Sequence, residues 1–177
     1  MHISNHAARI SSFIALAGLA AGAAHAHVGL QAAQASVGAG YKAVLTVPHG
    51  CKGSATVRLS VQIPDGVIAV KPQIKPGWTI ETTQGKYARP YTFHGNQVSE
   101  GVRTITWSGG SLPDAYYDEF AFSSQIASTL TPGSTLAFPT VQTCEHGVER
   151  WIELPSAGQK HLEKPAPVIT LLPARKP

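Results

Sequence analysis

From Ala55 to Ile63 apolar and polar positions alternate strictly, which places Val57, Leu59, Val61 and Ile63 on one face of a strand. Pro64-Asp65-Gly66 closes it with turn chemistry. The same reading makes Tyr41–Val47 the preceding strand, ended by Pro48-His49-Gly50. It predicts further strands at Val67–Val70, Trp78–Thr83, Val102–Trp107, Phe120–Ser123, Thr135–Val141 and Val148–Glu153, each bounded by Gly, Pro, Asp or Ser. Pro139 lacks the amide hydrogen that a central strand needs, so an edge strand or a bulge is expected there. No window carries apolar residues at helical spacing between caps. Seven to nine short strands at this spacing predict an all-β fold, an antiparallel β-sandwich of the immunoglobulin or cupredoxin kind.

The alternation is absent before residue 27. Arg9 supplies a weak positive start, and Ile10 to Ala20 form an apolar run too short to span a membrane. Ala24 and Ala26 then make an A-x-A cleavage site, so residues 1–26 are expected to be a signal peptide removed on export. Removing 26 of 177 residues leaves 151, enough for one domain with a substantial core. The domain is expected over residues 27–160, followed at 161–177 by a Pro-rich extension in which Val168–Leu172 is a candidate last strand. Without Arg9 there are 13 basic and 10 acidic side chains, a net of +3 with no Lys/Arg block. That balance gives no case for nucleic acid. The expected location is the periplasm, with no transmembrane segment.

Export also governs the reading of Cys51 and Cys144. An even cysteine count in an oxidising compartment favours a disulfide, and closing a loop of 93 residues would stabilise by about 2–5 kcal/mol. The rival is a thiolate metal pair, for which there is no CxxC spacing.

Cleavage after Ala26 would leave His27 first, with its α-amine and imidazole able to chelate one ion together. Both groups have reference pKa values of roughly 6.5–8, so a metal can displace their protons near neutral pH. The other mature histidines are His49, His94, His146 and His161, none in a zincin-like pattern. His49 and His146 flank the cysteines, which makes them either a second metal site or two loop residues sharing a corner. His94 and His161 read as loop residues. The mature chain has no methionine, and pairing the cysteines removes the last soft sulfur donor. Amine, imidazole and carboxylate donors suit Cu(II), and divalent affinity peaks there. Asp118 and Glu119 are candidate oxygen donors, or simply the polar end of a strand. Trp78, Trp107 and Trp151 are core residues by default, although an indole can also border a copper ion.

The ordered motifs Ala26-His27-Val28, Val47-Pro48-His49-Gly50-Cys51, Lys75-Pro76-Gly77-Trp78, Ile105 to Pro113, Tyr117-Asp118-Glu119-Phe120 and Gln142 to Gly147 with Trp151 resemble the YcnI-like family of exported copper-binding proteins. The resemblance runs from His27 to about Glu153. It implies a β-sandwich binding Cu(II) through a mono-histidine brace: amine and imidazole from His27, an oxygen from Glu119, and Trp151 against the ion. The function implied is a copper carrier or chaperone, not an enzyme, that exchanges copper with other periplasmic chaperones or a membrane copper transporter. The alternative is a histidine-brace copper oxidase acting on polysaccharide, which needs a second histidine; His94 is the conceivable one.

Overall fold

The computed structural model describes residues 27–155 and 161–175, so the signal-peptide reading of residues 1–26 lies outside the described residues. Among the described residues there are twelve strands: β1 (Gly29–Leu30), β2 (Gln34–Ser36), β3 (Gly40–Val47), β4 (Thr56–Gln62), β5 (Val67–Pro72), β6 (Thr79–Phe93), β7 (Asn96–Leu112), β8 (Asp118–Ile126), β9 (Thr135–Ala137), β10 (Thr140–Cys144), β11 (Val148–Trp151) and β12 (Val168–Leu172). They form one sheet in the order β1-β3-β8-β5 and another in the order β11-β10-β4-β7-β6, with a small third sheet β2-β12-β9. Every pairing is antiparallel except β2 with β12. The all-β antiparallel fold is as the alternation predicts. Among the described residues no helix is long and apolar enough to cross a membrane.

The core follows from the inward faces of these strands. Leu45 of β3, Leu59 and Val61 of β4, Ile105 and Trp107 of β7, and Phe120 and Phe122 of β8 are wholly buried. Phe120 receives Trp107 and Trp78 edge-on, with centroids 5.5 and 4.9 Å away. Gly110 is required beneath Trp78, since a Cβ there would come within 2.3 Å of the indole.

Three departures from the sequence pattern matter. The expected strands Trp78–Thr83 and Val102–Trp107 are parts of one long hairpin, β6–β7, whose outer stretch is exposed and too polar to show a period. The expected strand Thr135–Val141 is two strands in different sheets: the chain breaks at Phe138-Pro139, where Pro139 has no amide hydrogen to give. A register shift between Thr56 and Arg58 turns Thr56 into the core and leaves Val57 only half-buried. Val168–Leu172 lies between β2 and β9, with Ile169 and Leu171 buried.

Tyr41 ties the entry of the chain to this core. Its hydroxyl donates to the Ala32 carbonyl at 2.7 Å, and burial pushes the phenol from 10.0 up to about 12. A folded pKa above the unfolded one gives a stabilisation that is whole below about pH 10 and lost as pH climbs through 12. Tyr41→Phe should therefore cost about 0.5–1.5 kcal/mol near neutrality. The gap from wild type should narrow in denaturant melts at high pH. A gap that stays constant to pH 12 would refute the assignment.

Candidate functional site

The site forms where the edges of the two main sheets meet, β1 on one side and β11 on the other. Val28 is an apolar residue with 2 % exposure; burying it anchors the start of the described domain in the core and leaves His27 on the outside. Gly29 pairs with Thr46 and Leu30 with Leu45. Two steps back along that register brings His27 beside Pro48, and both line one depression of about 610 Å³ together with Thr46, Pro165 and Val168.

Trp151, the last residue of β11, turns its ring to meet His27 edge-on, centroids 5.2 Å apart and planes 68° apart. It is buried to 5 % exposure, so its indole N–H needs an acceptor inside the protein. Gln142 Oε1 accepts that bond at 3.0 Å. Because an indole nitrogen can only donate, the Gln142 amide orientation is fixed. Its Nε2 then donates to the His49 carbonyl at 2.7 Å and to Thr56 Oγ1 at 2.8 Å. One buried carboxamide thus ties together the strand carrying Trp151, the loop carrying His49 and the inturned residue of β4.

The loop after β3 is further restrained. Gly50 N donates to Asp114 Oδ1 at 2.9 Å, and a Cβ at Gly50 would fall 1.9 Å from the Ser54 carbonyl. Cys51 and Ser54 exchange backbone hydrogen bonds across Lys52 and Gly53, both at positive φ. Cys51 and Cys144 form a disulfide, with Cα atoms 5.9 Å apart and both residues nearly wholly buried. The bridge leaves no cysteine for the thiolate pair considered above. His146 lies on the exposed turn after Cys144, where its backbone N–H donates to Ser54 Oγ at 2.8 Å.

Asp118 and Glu119 lie elsewhere. Phe120 and Phe122 face the core, so Glu119 projects to the outer face of β8 and lines another depression, of about 270 Å³, with Lys42, Gln73, Ile74 and Pro76. Its register partner is Thr46, which separates its Cα from that of Gly29 by two strand spacings, roughly 9–10 Å. Asp118 is held by Lys75 Nζ at 2.6 Å, and the same ammonium donates to the Glu119 carbonyl at 2.9 Å. His94 sits at positive φ in the β6–β7 turn and lines a depression with Gly38 and Gln125, away from His27. His161 is exposed in the segment before β12. Trp78 and Trp107 serve the core. The structure therefore brings His27, Trp151 and the His49 backbone into one corner, and leaves Glu119, His94 and the exposed His146 outside the depression that His27 lines. Among the described residues no group of three His, Cys, Asp or Glu side chains is close enough to hold a metal; a chelate using the His27 amine needs no such group.

Residues 27–171 match the domain family described as "Domain of unknown function (DUF1775)". The chain belongs to this family. It is the domain that YcnI-like proteins carry. Among solved structures, an uncharacterized protein from Nocardia farcinica, described as having an immunoglobulin-like fold, aligns at 25 % identity and a TM-score of 0.61, over 82 % of this chain and 98 % of its own. No curated protein matches the sequence. The DUF1775 span starts at His27 and ends inside β12, so it includes both sides of the corner.

Gln142 and Thr56 were not legible as site residues. The one sequence signal was a polar side chain on the inward phase of β10, between Thr140 and Cys144. Gln142→Leu should leave the buried Trp151 indole N–H without its acceptor and cost about 1–3 kcal/mol. Thermal or denaturant melts should show the loss, and fluorescence of Trp151 should shift with it. Unchanged stability would mean that water replaces the amide and that the corner does not depend on it.

Proposed function

We propose that this DUF1775 protein is an exported, non-catalytic Cu(II) carrier that takes the ion as cargo at the mature N-terminus. The observation that carries the reading is the seating of His27: its neighbour Val28 is buried while its imidazole stands exposed against the Trp151 ring. Cleavage after Ala26 would place a free amine on that same residue, giving a five-atom pair of nitrogens already anchored by β1. Trp151 then borders the ion on one side, excluding water and meeting its charge with π density. The donor chemistry agrees, because the mature chain has no methionine and both cysteines are bridged. Nitrogen and oxygen donors remain, and these favour Cu(II). A carrier of this kind works in the periplasm, where it would exchange copper with other chaperones or a membrane transporter. We assign Glu119 no part in the site, since it faces the other depression and the Lys75 ammonium lies against its backbone.

The test is where the chain is cut. Protein that retains Ala26 keeps every side chain of the fold but holds the nitrogen of His27 in an amide. Its Cu(II) affinity should fall at least about tenfold, roughly 1.4 kcal/mol. His27→Ala should fall further, since the imidazole also goes. Competition titrations on proteins of verified N-terminus, with nitrogen coupling read by electron paramagnetic resonance, give the comparison. Equal affinity and equal coupling in the cut and uncut proteins would rule out the brace.

A further inference from the structure

We infer that Glu149 and Lys164 are positioning residues for the cargo site. Their ion pair clasps the segment before β12 onto the free edge of β11, and so sets the wall that shares a depression with His27. The inference rests on the Cu(II) reading above and adds two residues that act on the ion only through that wall. β11 is the last strand of its sheet, so one of its edges has no strand beside it. Just beyond Trp151 that edge is taken up by residues 164–166. Glu153 and Pro165 form a parallel bridge, Glu153 N donates to the Lys164 carbonyl at 3.1 Å, and Ala166 N donates to the Glu153 carbonyl at 2.9 Å. Pro165 and Pro167 have no amide hydrogen, so the segment cannot be fastened as a regular strand. Side chains supply the rest: Lys164 N donates to Glu153 Oε2 at 3.0 Å, and Lys164 Nζ pairs with the Glu149 carboxylate.

Glu149 stands two residues before Trp151, on the same face of β11, and its register partner is Gln142. Gln142 already fills the interior position at 1 % exposure, so the carboxylate is left at the sheet edge. Its side chain is only 16 % exposed, and a carboxylate so far out of water needs a partner. Lys164 provides one from the strap. The residues that follow, Pro165, Ala166, Pro167 and Val168, line the depression that His27 lines. The clasp is therefore one residue from the wall at Lys164 and two residues from the ring that meets His27 at Glu149. On the Cu(II) reading this wall limits the approach of water and competing ligands to the ion. Loosened, it lets them reach the ion from the strap side as well.

The experiment uses the correctly processed protein loaded with one equivalent of Cu(II), from which excess EDTA removes the ion while Trp fluorescence is followed. Partners that touch a metal ligand directly change affinity about 10–100-fold when lost, and a clasp one step further out should change release by about threefold or more. Lys164→Ala and Glu149→Gln should each release the ion faster by that factor, and Lys164→Arg should release it at the unmutated rate. The nitrogen coupling in electron paramagnetic resonance should stay the same in all of them, because no donor is removed. Tyr41→Phe, which loosens the fold away from the strap, should leave release unchanged; melting curves show that each variant is folded. Unchanged release in both Lys164→Ala and Glu149→Gln overturns the inference, and so does an equal acceleration by Tyr41→Phe. Slower release from Lys164→Ala with faster release from Glu149→Gln also overturns it, since the freed carboxylate then acts on the ion itself. In those cases the difference between protein cut before His27 and protein retaining Ala26 persists, and the brace stands. If that difference is absent, the Cu(II) reading falls and the inference falls with it.

Discussion

The corner between the two sheets depends on one buried carboxamide. Gln142 has 1 % exposure, and its oxygen and both amide hydrogens are used by Trp151, His49 and Thr56. A neutral hydrogen bond adds only about 0.5–1.5 kcal/mol net, yet a buried group left unpaired costs about 1–3 kcal/mol. The asymmetry makes the network a constraint on geometry more than a source of stability. Any displacement of the β3 loop or of β11 that breaks one bond leaves a polar atom without water. The ring beside His27 and the chain around His49 are therefore held to one arrangement.

Two further devices hold the same corner from outside. The disulfide joins the β3 loop to the end of β10, and Thr56 Oγ1, which accepts from Gln142 Nε2, lies 3.7 Å from the Cys144 sulfur. On the other flank the burial of Val28 fixes the segment that leads into β1. A site at a chain terminus would ordinarily be its least ordered part, since the first residues of a domain are loose unless tied down. Here β1 is only two residues long, but pairing with β3 and burial of Val28 tie it. On the proposed reading, the histidine that cleavage would leave first is thus positioned without being enclosed, which suits a carrier that must both accept and give up its ion.

Much of this was legible in the sequence, and the misses have physical causes. Strict alternation located β4, where one face is buried and the other is wet, and the strands expected at Tyr41–Val47 and Phe120–Ser123 fall within β3 and β8. The cysteine pair followed from the export reading and is bridged in the structure. The inturned Thr56 was hidden because a bulge reverses the phase of the pattern, and alternation carries no mark of where a bulge falls. Gln142 was hidden because its partners come from three distant segments. The motif around Asp118 and Glu119 was visible, but which face it takes depends on Phe120. Once that ring enters the core, the neighbouring carboxylate must leave it.

The distribution of sulfur bears on how a carrier of this design would let go. Cu(I) prefers thiolate and thioether donors, whereas amine and imidazole suit Cu(II). In this chain both cysteine sulfurs are spent on a buried bridge. On the proposed reading the corner therefore discriminates against the reduced ion, and an external one-electron donor that reduced the cargo to Cu(I) would weaken the hold on it. An acceptor rich in soft sulfur would then draw copper from this site as Cu(I) more readily than as Cu(II), with the direction of transfer set by ligand chemistry and no conformational change required of a corner built to be rigid.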